Sequence, residues 1–189
     1  MNAVIAEGLW KSYGGRTVLE DVSLTAGPDR ITCVMAPSGS GKTTLLRILL
    51  GLESPDRGTV RLPEPCRWAA VFQEDRLLEH LDALGNLRFA GVEDLGRARR
   101  LLAELWLTEP AGKAVRAYSG GMKRRLALAR ALLAPSDALA LDEPFTGLDP
   151  ENRARCRAAI LREAAGKPVI LVTHDEEDVA GLDAALVRL

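Results

Sequence analysis

The sequence predicts an α/β domain: a parallel sheet with helices on both faces, interrupted by one helical insertion. Three observations carry that expectation. Short apolar runs of strand length alternate with helix-length segments, the pattern of right-handed crossover units. A glycine-rich loop lies between one such strand and the helix after it. Residues 74–117 break the alternation, being rich in Leu, Ala, Arg and Glu and nearly devoid of β-branched residues.

Taken in order, AVIAEGLW, TVLEDVSLTAG and ITCVM (31–35) read as strands, separated by Gly14-Gly15 and Gly27-Pro28. A helix then runs through Leu45, Leu46, Ile48, Leu49 and Leu50, and TVRL (59–62) and WAAVFQ (68–73) are further strands. After the insertion come a helix over about 121–133, strand ALAL (138–141), a helix over about 151–164, strand PVILVT (168–173), and a last helix and short strand. The expected division is a core of 1–73 and 118–189 with a helical subdomain over 74–117.

Composition narrows the function classes. The chain has 189 residues, 47% of them hydrophobic, enough for one domain with a substantial core. Lys plus Arg number 25 against 26 Asp plus Glu, a balance that points to no nucleic-acid partner. Cys33, Cys66 and Cys156 are widely spaced and odd in number, which argues against a disulfide scaffold or zinc site. The opening MNAVIAEGLWKSYGG lacks a basic segment and a long apolar run, so no signal peptide is expected. Arg47 and Arg130 interrupt the longest apolar stretches, well short of the roughly 18 residues of a membrane span. A membrane role is therefore expected to come through a partner.

The strongest local signal is the loop Ser38-Gly39-Ser40-Gly41-Lys42-Thr43-Thr44 between strand and helix. A phosphate chain needs many backbone N–H donors at close range, which glycine permits, and the helix adds its positive end. Lys42 would reach the β- and γ-phosphates and Thr43 would ligate Mg²⁺. One departure stands out: Ala36 replaces the first glycine of the GxxxxGK[ST] pattern.

The apolar strand ending in Asp142-Glu143 places two acids at the carboxyl edge of a parallel sheet, where such sheets bind ligands. Asp142 would hold the hydrated Mg²⁺, and Glu143 would orient or deprotonate water. Ser119-Gly120-Gly121 opens a second helix, 77 positions beyond Lys42. It reads either as an ordinary N-cap or as a second anion site, and a second site implies a second nucleotide.

Together these motifs resemble the ATP-binding-cassette ATPases over nearly the whole chain. SGSGKTT looks like Walker A, SGG at 119–121 like the signature turn, and ALALDEP like Walker B. Gln73 resembles the Q-loop glutamine, Gly147-Leu148-Asp149 the D-loop, His174 the switch histidine, and Tyr13 the aromatic that stacks on adenine. The resemblance implies a P-loop NTPase core with a parallel sheet, an N-terminal antiparallel β portion and an inserted α-helical subdomain. It implies Mg²⁺-dependent ATP hydrolysis, with Lys42, Glu143 and His174 catalytic and Thr43, Gln73 and Asp142 around the metal. ATP would contact Tyr13, residues Ser38 to Thr44 and Gln73, and, from a second copy, Ser119, Gly120 and Gly121.

Expected partners are an integral-membrane permease, a second copy of the chain in the ATP-bound state and, indirectly, a substrate-binding protein. The expected location is the cytoplasmic face of the membrane. The order of motifs resembles bacterial importers, including those for small anions, sulfonates or polyamines; a cassette ATPase outside transport is the alternative. His80 is read as structural, Lys123-Arg124-Arg125 as a solvated helix face, and the leucines from Leu77 to Leu87 as a subdomain core that partly lines a groove for the permease. Met122 stands where the signature commonly has Gln.

Overall fold

The computed structural model describes residues 3–37, 39–108 and 112–189. The chain opens with a hairpin of β1 (Val4–Tyr13) and β2 (Arg16–Ala26). Its turn is Gly14-Gly15, both at positive φ (55° and 82°), which a tight hairpin of this hand requires. Strand β4 (Arg57–Arg61) pairs antiparallel on the other side of β1, giving a three-stranded sheet in the order β2-β1-β4.

The second sheet is parallel: β3 (Ile31–Met35), β5 (Trp68–Val71), β6 (Ala138–Asp142), β7 (Val169–Thr173) and β8 (Ala184–Arg188), ordered β5-β6-β7-β3-β8. Every residue of β3, β6 and β7 is buried, as expected for strands covered on both faces. Side chains alternate between the faces. Cys33, Leu139, Leu141, Val169 and Leu171 join one core, which also contains Leu126, Leu128 and Leu132 of α4 (Gly120–Leu133) and Ile160 of α5 (Pro150–Glu163). Val34, Ala138, Ala140, Ile170 and Val172 join the other, with Leu45, Leu46 and Leu49 of α1 (Lys42–Leu49) and Leu9, Leu19 and Leu24 of the antiparallel sheet.

Between β5 and α4 lie α2 (Ala83–Phe89) and α3 (Leu95–Glu104), each started by an aspartate cap: Asp82 accepts from the Gly85 N–H and Asp94 from the Arg97 N–H. Less of this insertion is helical than its leucine spacing predicts, because residues 74–82 form no helix. Their backbone groups go elsewhere. The buried Asn86 side chain accepts from Leu78 N–H (2.8 Å) and donates to Leu78 C=O (3.0 Å). The carbonyls of Glu79 and Leu81 accept from Arg116 and Val115. With those bonds taken, an i to i−4 ladder is not available.

A short helix, α6 (Glu176–Val179), leads into β8. No helix among the described residues is long and apolar enough to cross a membrane.

Candidate functional site

Four parallel strands end on one edge, so the loops after β3, β5, β6 and β7 meet there. They surround a cleft of about 320 Å³ lined by Val18, Gly39, Gly41, Lys42, Thr43, Thr44, Gln73, Asp142 and Glu143. Residues as far apart in the chain as Val18 and Glu143 are thus brought together. Ser38 lies outside the described residues.

The loop after β3 turns into α1 at Gly41, whose φ is 93°. A Cβ at Gly41 would lie 2.7 Å from Val18 O and 2.9 Å from Leu19 Cδ2, so conformation and space both demand glycine. The first helical bond runs from Leu45 N–H to Gly41 C=O (2.8 Å), leaving the N–H groups of Lys42, Thr43 and Thr44 to face the cleft's mouth. Ala36 is buried and is not at positive φ, so its methyl group strains nothing; its N–H donates to Thr173 O.

Lys42 is nearly buried. Its Nζ donates to the carbonyls of Ala36 (2.7 Å) and Pro37 (2.9 Å) and stands 3.8 Å from Glu143 Oε1. His174 Nδ1 is 2.9 Å from the same Oε1, and the Thr146 hydroxyl donates to Oε2 at 3.3 Å. Three loops therefore converge on one carboxylate. Glu143 itself has φ of 47°, a left-handed conformation unusual for a residue with a side chain, and its N–H donates to Val172 O at 2.8 Å. Asp142, 4% exposed, has its carboxyl pKa raised by burial and by the neighbouring Glu143; Arg124, Lys42 and a hydrogen bond with Thr43 oppose the rise. A buried carboxylate beside a second one makes a place where a cation is welcome.

Other predicted residues lie apart from the cleft. Tyr13 is exposed at the end of β1, its hydroxyl bonded to Glu53 and close to Thr44, with Lys11 Nζ 5.5 Å from its ring. Ser119 is the N-cap of α4, accepting from Met122 N–H at 3.3 Å, and neither it nor Gly120 and Gly121 lines the cleft. Gly121 faces the loop after Glu143, where a Cβ would come within 3.6 Å of Gly147 O. His80 is exposed and does not line the cleft. Leu87 is fully buried and Leu77 and Leu84 pack on the core. Met122, partly buried, packs there too.

The reading of Lys123-Arg124-Arg125 as a solvated face fails for the two arginines; Lys123 is partly exposed and pairs with the exposed Glu79. Arg124 and Arg125 are 4% and 8% exposed. Helix α4 is buried around most of its circumference, so these two cations sit among carbonyls instead of water. Arg125 donates to Leu105 O (2.8 Å) and to Asn152 of α5. Arg124 donates to the backbone of both cleft loops nearest α4. The helical register carried the signal: Arg124 lies four residues before Leu128 and seven before Ala131, on an apolar face. Arg153 of α5 also went unread; it pairs with Asp175 (3.1 Å) and Asp178 (3.4 Å) just after His174.

A strand-loop-helix phosphate cradle, a lysine at its helix end and two acids on the adjacent strand edge define a P-loop ATPase. The comparisons make the class specific. The family described as ABC transporter matches residues 19–146. The chain is 40% identical to an aliphatic sulfonates import ATP-binding protein of Burkholderia lata, over 95% of this chain and 70% of that one. It is 39% identical to a taurine import ATP-binding protein of Pseudomonas fluorescens, over 91% and 71%. A solved ATP binding subunit of an ABC transporter superposes with a TM-score of 0.83 at 25% identity, covering 98% of this chain and 87% of that one. The dimeric structure of a bacterial ABC transporter cassette gives 0.80 at 26%, covering 98% and 94%. The chain belongs to the ABC transporter family, as an ATP-binding and ATP-hydrolysing subunit of the importer type.

Proposed function

We propose that two copies of this chain close head to tail around two ATP molecules and, on hydrolysis, reopen to drive an integral-membrane permease from the cytoplasmic side. The observation that carries the catalytic part is the convergence of Lys42 and His174 on Glu143 at a strand end. Lys42 would exchange the carbonyls of Ala36 and Pro37 for the β- and γ-phosphates, with the N–H groups at the start of α1 completing the cradle. Glu143 orients the attacking water and takes its proton, and His174 holds that carboxylate from the next strand.

The residues present fit Mg²⁺. Thr43, Asp142 and Gln73 offer hard oxygen donors around a buried, electron-rich point. When bound, the ion supplies charge neutralisation to the phosphate oxygens. Tyr13 would stack on the adenine ring, a role that its place beside Thr44 supports.

Ser119-Gly120-Gly121 opens a long helix with its own anion-binding end, away from the cleft of its own chain. That placement supports a role toward the nucleotide of the second copy. Residues 74–117 form the helical subdomain in this reading and meet the permease. The cargo is a small sulfonate-type anion, on the strength of the relatives named for aliphatic sulfonates and taurine. A substrate-binding protein would deliver it to the permease.

The dimer is the testable core. Glu143→Gln keeps the shape of the side chain but removes the base and one negative charge. It should bind ATP, turn it over very slowly, and run as a dimer in size exclusion with ATP and as a monomer with ADP. Adding Ser119→Arg fills the phosphate side of the turn and should abolish that dimer while ATP binding is retained. A Glu143→Gln protein that stays monomeric at high concentration with ATP bound would overturn the sandwich.

A further inference from the structure

Arg124 is the most heavily bonded side chain near the cleft, and it does not itself line the cleft. Its Nη1 donates to Phe72 O and to Asp75 Oδ1 (3.0 Å), with Gln73 O at 3.5 Å; its Nη2 donates to Asp142 O and Glu143 O, each at 2.6 Å. One planar cation thus joins the loop that carries Gln73 to the strand end that carries Glu143.

The second set of bonds is unusual. Along a strand, successive carbonyls point to opposite sides, so one donor cannot serve two in a row. Here Glu143 lies at φ 47°, and its carbonyl turns to the same side as that of Asp142. Two parallel carbonyl dipoles repel each other, and a left-handed conformation is unfavourable for a residue with a side chain. The guanidinium offsets both, because a positive charge between the two oxygens is favourable only when they converge.

We infer that Arg124 is a positioning residue for hydrolysis: it holds the left-handed turn that aims Glu143 at the water and ties that aim to the Gln73 loop. The inference rests on Glu143 being the group that activates water. Only arginine meets the geometry. A lysine has one nitrogen and cannot bond both loops in opposite directions, and a glutamine has no charge to draw the carbonyls together. Arg130 of α4 is a natural control. It holds the same loop through Asp75 O (2.9 Å) and Arg76 O (2.7 Å), and no bond joins it to Asp142 or Glu143.

The test uses the full chain, measuring ATP affinity with a fluorescent analogue, turnover by phosphate release, and folding by thermal melting. Arg124→Lys should lose about 10- to 100-fold in turnover, the scale of a small misplacement of a catalytic group, with ATP affinity within about threefold of wild type. Arg130→Lys, which loosens the loop alone, should stay within about threefold in both, in keeping with a change remote from the reacting atoms. Asp75→Asn leaves Nη1 its bond to Phe72 O and an amide oxygen but removes the charged partner, and should lower turnover by about three- to tenfold without weakening ATP binding.

Wild-type turnover in folded Arg124→Lys overturns the inference, and so does an equal turnover loss in Arg130→Lys, which marks a general loosening. If Arg124→Lys fails to fold, Asp75→Asn decides: unchanged turnover there overturns it. Glu143→Gln, run in parallel, separates the two readings. A fast Glu143→Gln protein defeats the assignment of the base; a slow one beside an unaffected Arg124→Lys defeats this inference alone.

Discussion

Replacing Lys42 by alanine separates its role toward phosphate from its role in the fold. In the structure its ammonium bonds Ala36 O and Pro37 O and stands 3.8 Å from Glu143. The Coulomb attraction at that distance is roughly 4 kcal/mol gross at an effective dielectric near 20. Each charge-assisted bond to a carbonyl contributes about 1.5–3 kcal/mol. Against these stands the desolvation of a cation that is only 7% exposed, a penalty of about several kcal/mol. The penalty offsets much of the gain, so Lys42→Ala should destabilise the fold by about 2–4 kcal/mol, or roughly 4–16 °C in Tm for a domain of this size. A domain with about 5–15 kcal/mol of stability stays folded under that change. Turnover behaves differently, because loss of one preorganised donor to developing phosphate charge costs about 100- to 1,000-fold. The assay is phosphate release at saturating Mg-ATP, normalised to the folded fraction measured by circular dichroism. Turnover within threefold of wild type in a folded Lys42→Ala protein would refute the site. A collapse in Tm well beyond the range above would refute the offset on which the prediction stands.

Two further predictions concern neighbouring positions. Ala36→Gly should leave ATP affinity unchanged by titration, since Ala36 is not at positive φ, and should lower thermal stability slightly through added chain freedom; tighter binding would show hidden strain. Asp142→Asn should abolish Mg²⁺-dependent turnover yet raise the nucleotide-free Tm at neutral pH. The sign follows from linkage: a carboxyl whose folded pKa is raised keeps its proton longer folded than unfolded, so stability falls as pH rises from the ordinary carboxylate value through the raised one. The advantage of Asn should therefore shrink as pH is lowered into the ordinary carboxylate range, and a destabilised Asp142→Asn protein at pH 7 would contradict the argument.

Much of this protein was legible in order along the chain. Strand ITCVM, the loop to Thr44 and the helix after it are a local sentence, because glycine conformations, helix starts and strand runs are decided within a few residues. The same holds for Asp142 and Glu143 at the end of ALALDE and for Ser119 as a cap. What lay beyond reach was anything that needed two distant segments at once. The leucines of 74–82 have helical spacing, yet Asn86 and residues 115–116 claim their backbone. Ala36 looked like a departure until its φ was known. The clearest case is Lys123-Arg124-Arg125. In one dimension a run of three cations reads as a wet surface, because water is the default solvent for charge. Only the packed structure supplies the alternative solvent, carbonyls of Phe72, Asp142, Glu143 and Leu105 aimed at α4 from loops some twenty to fifty residues away. Local sequence determines which conformations a segment prefers; where a charge finds its counter-dipoles is a property of the tertiary assembly, since those dipoles belong to other parts of the chain.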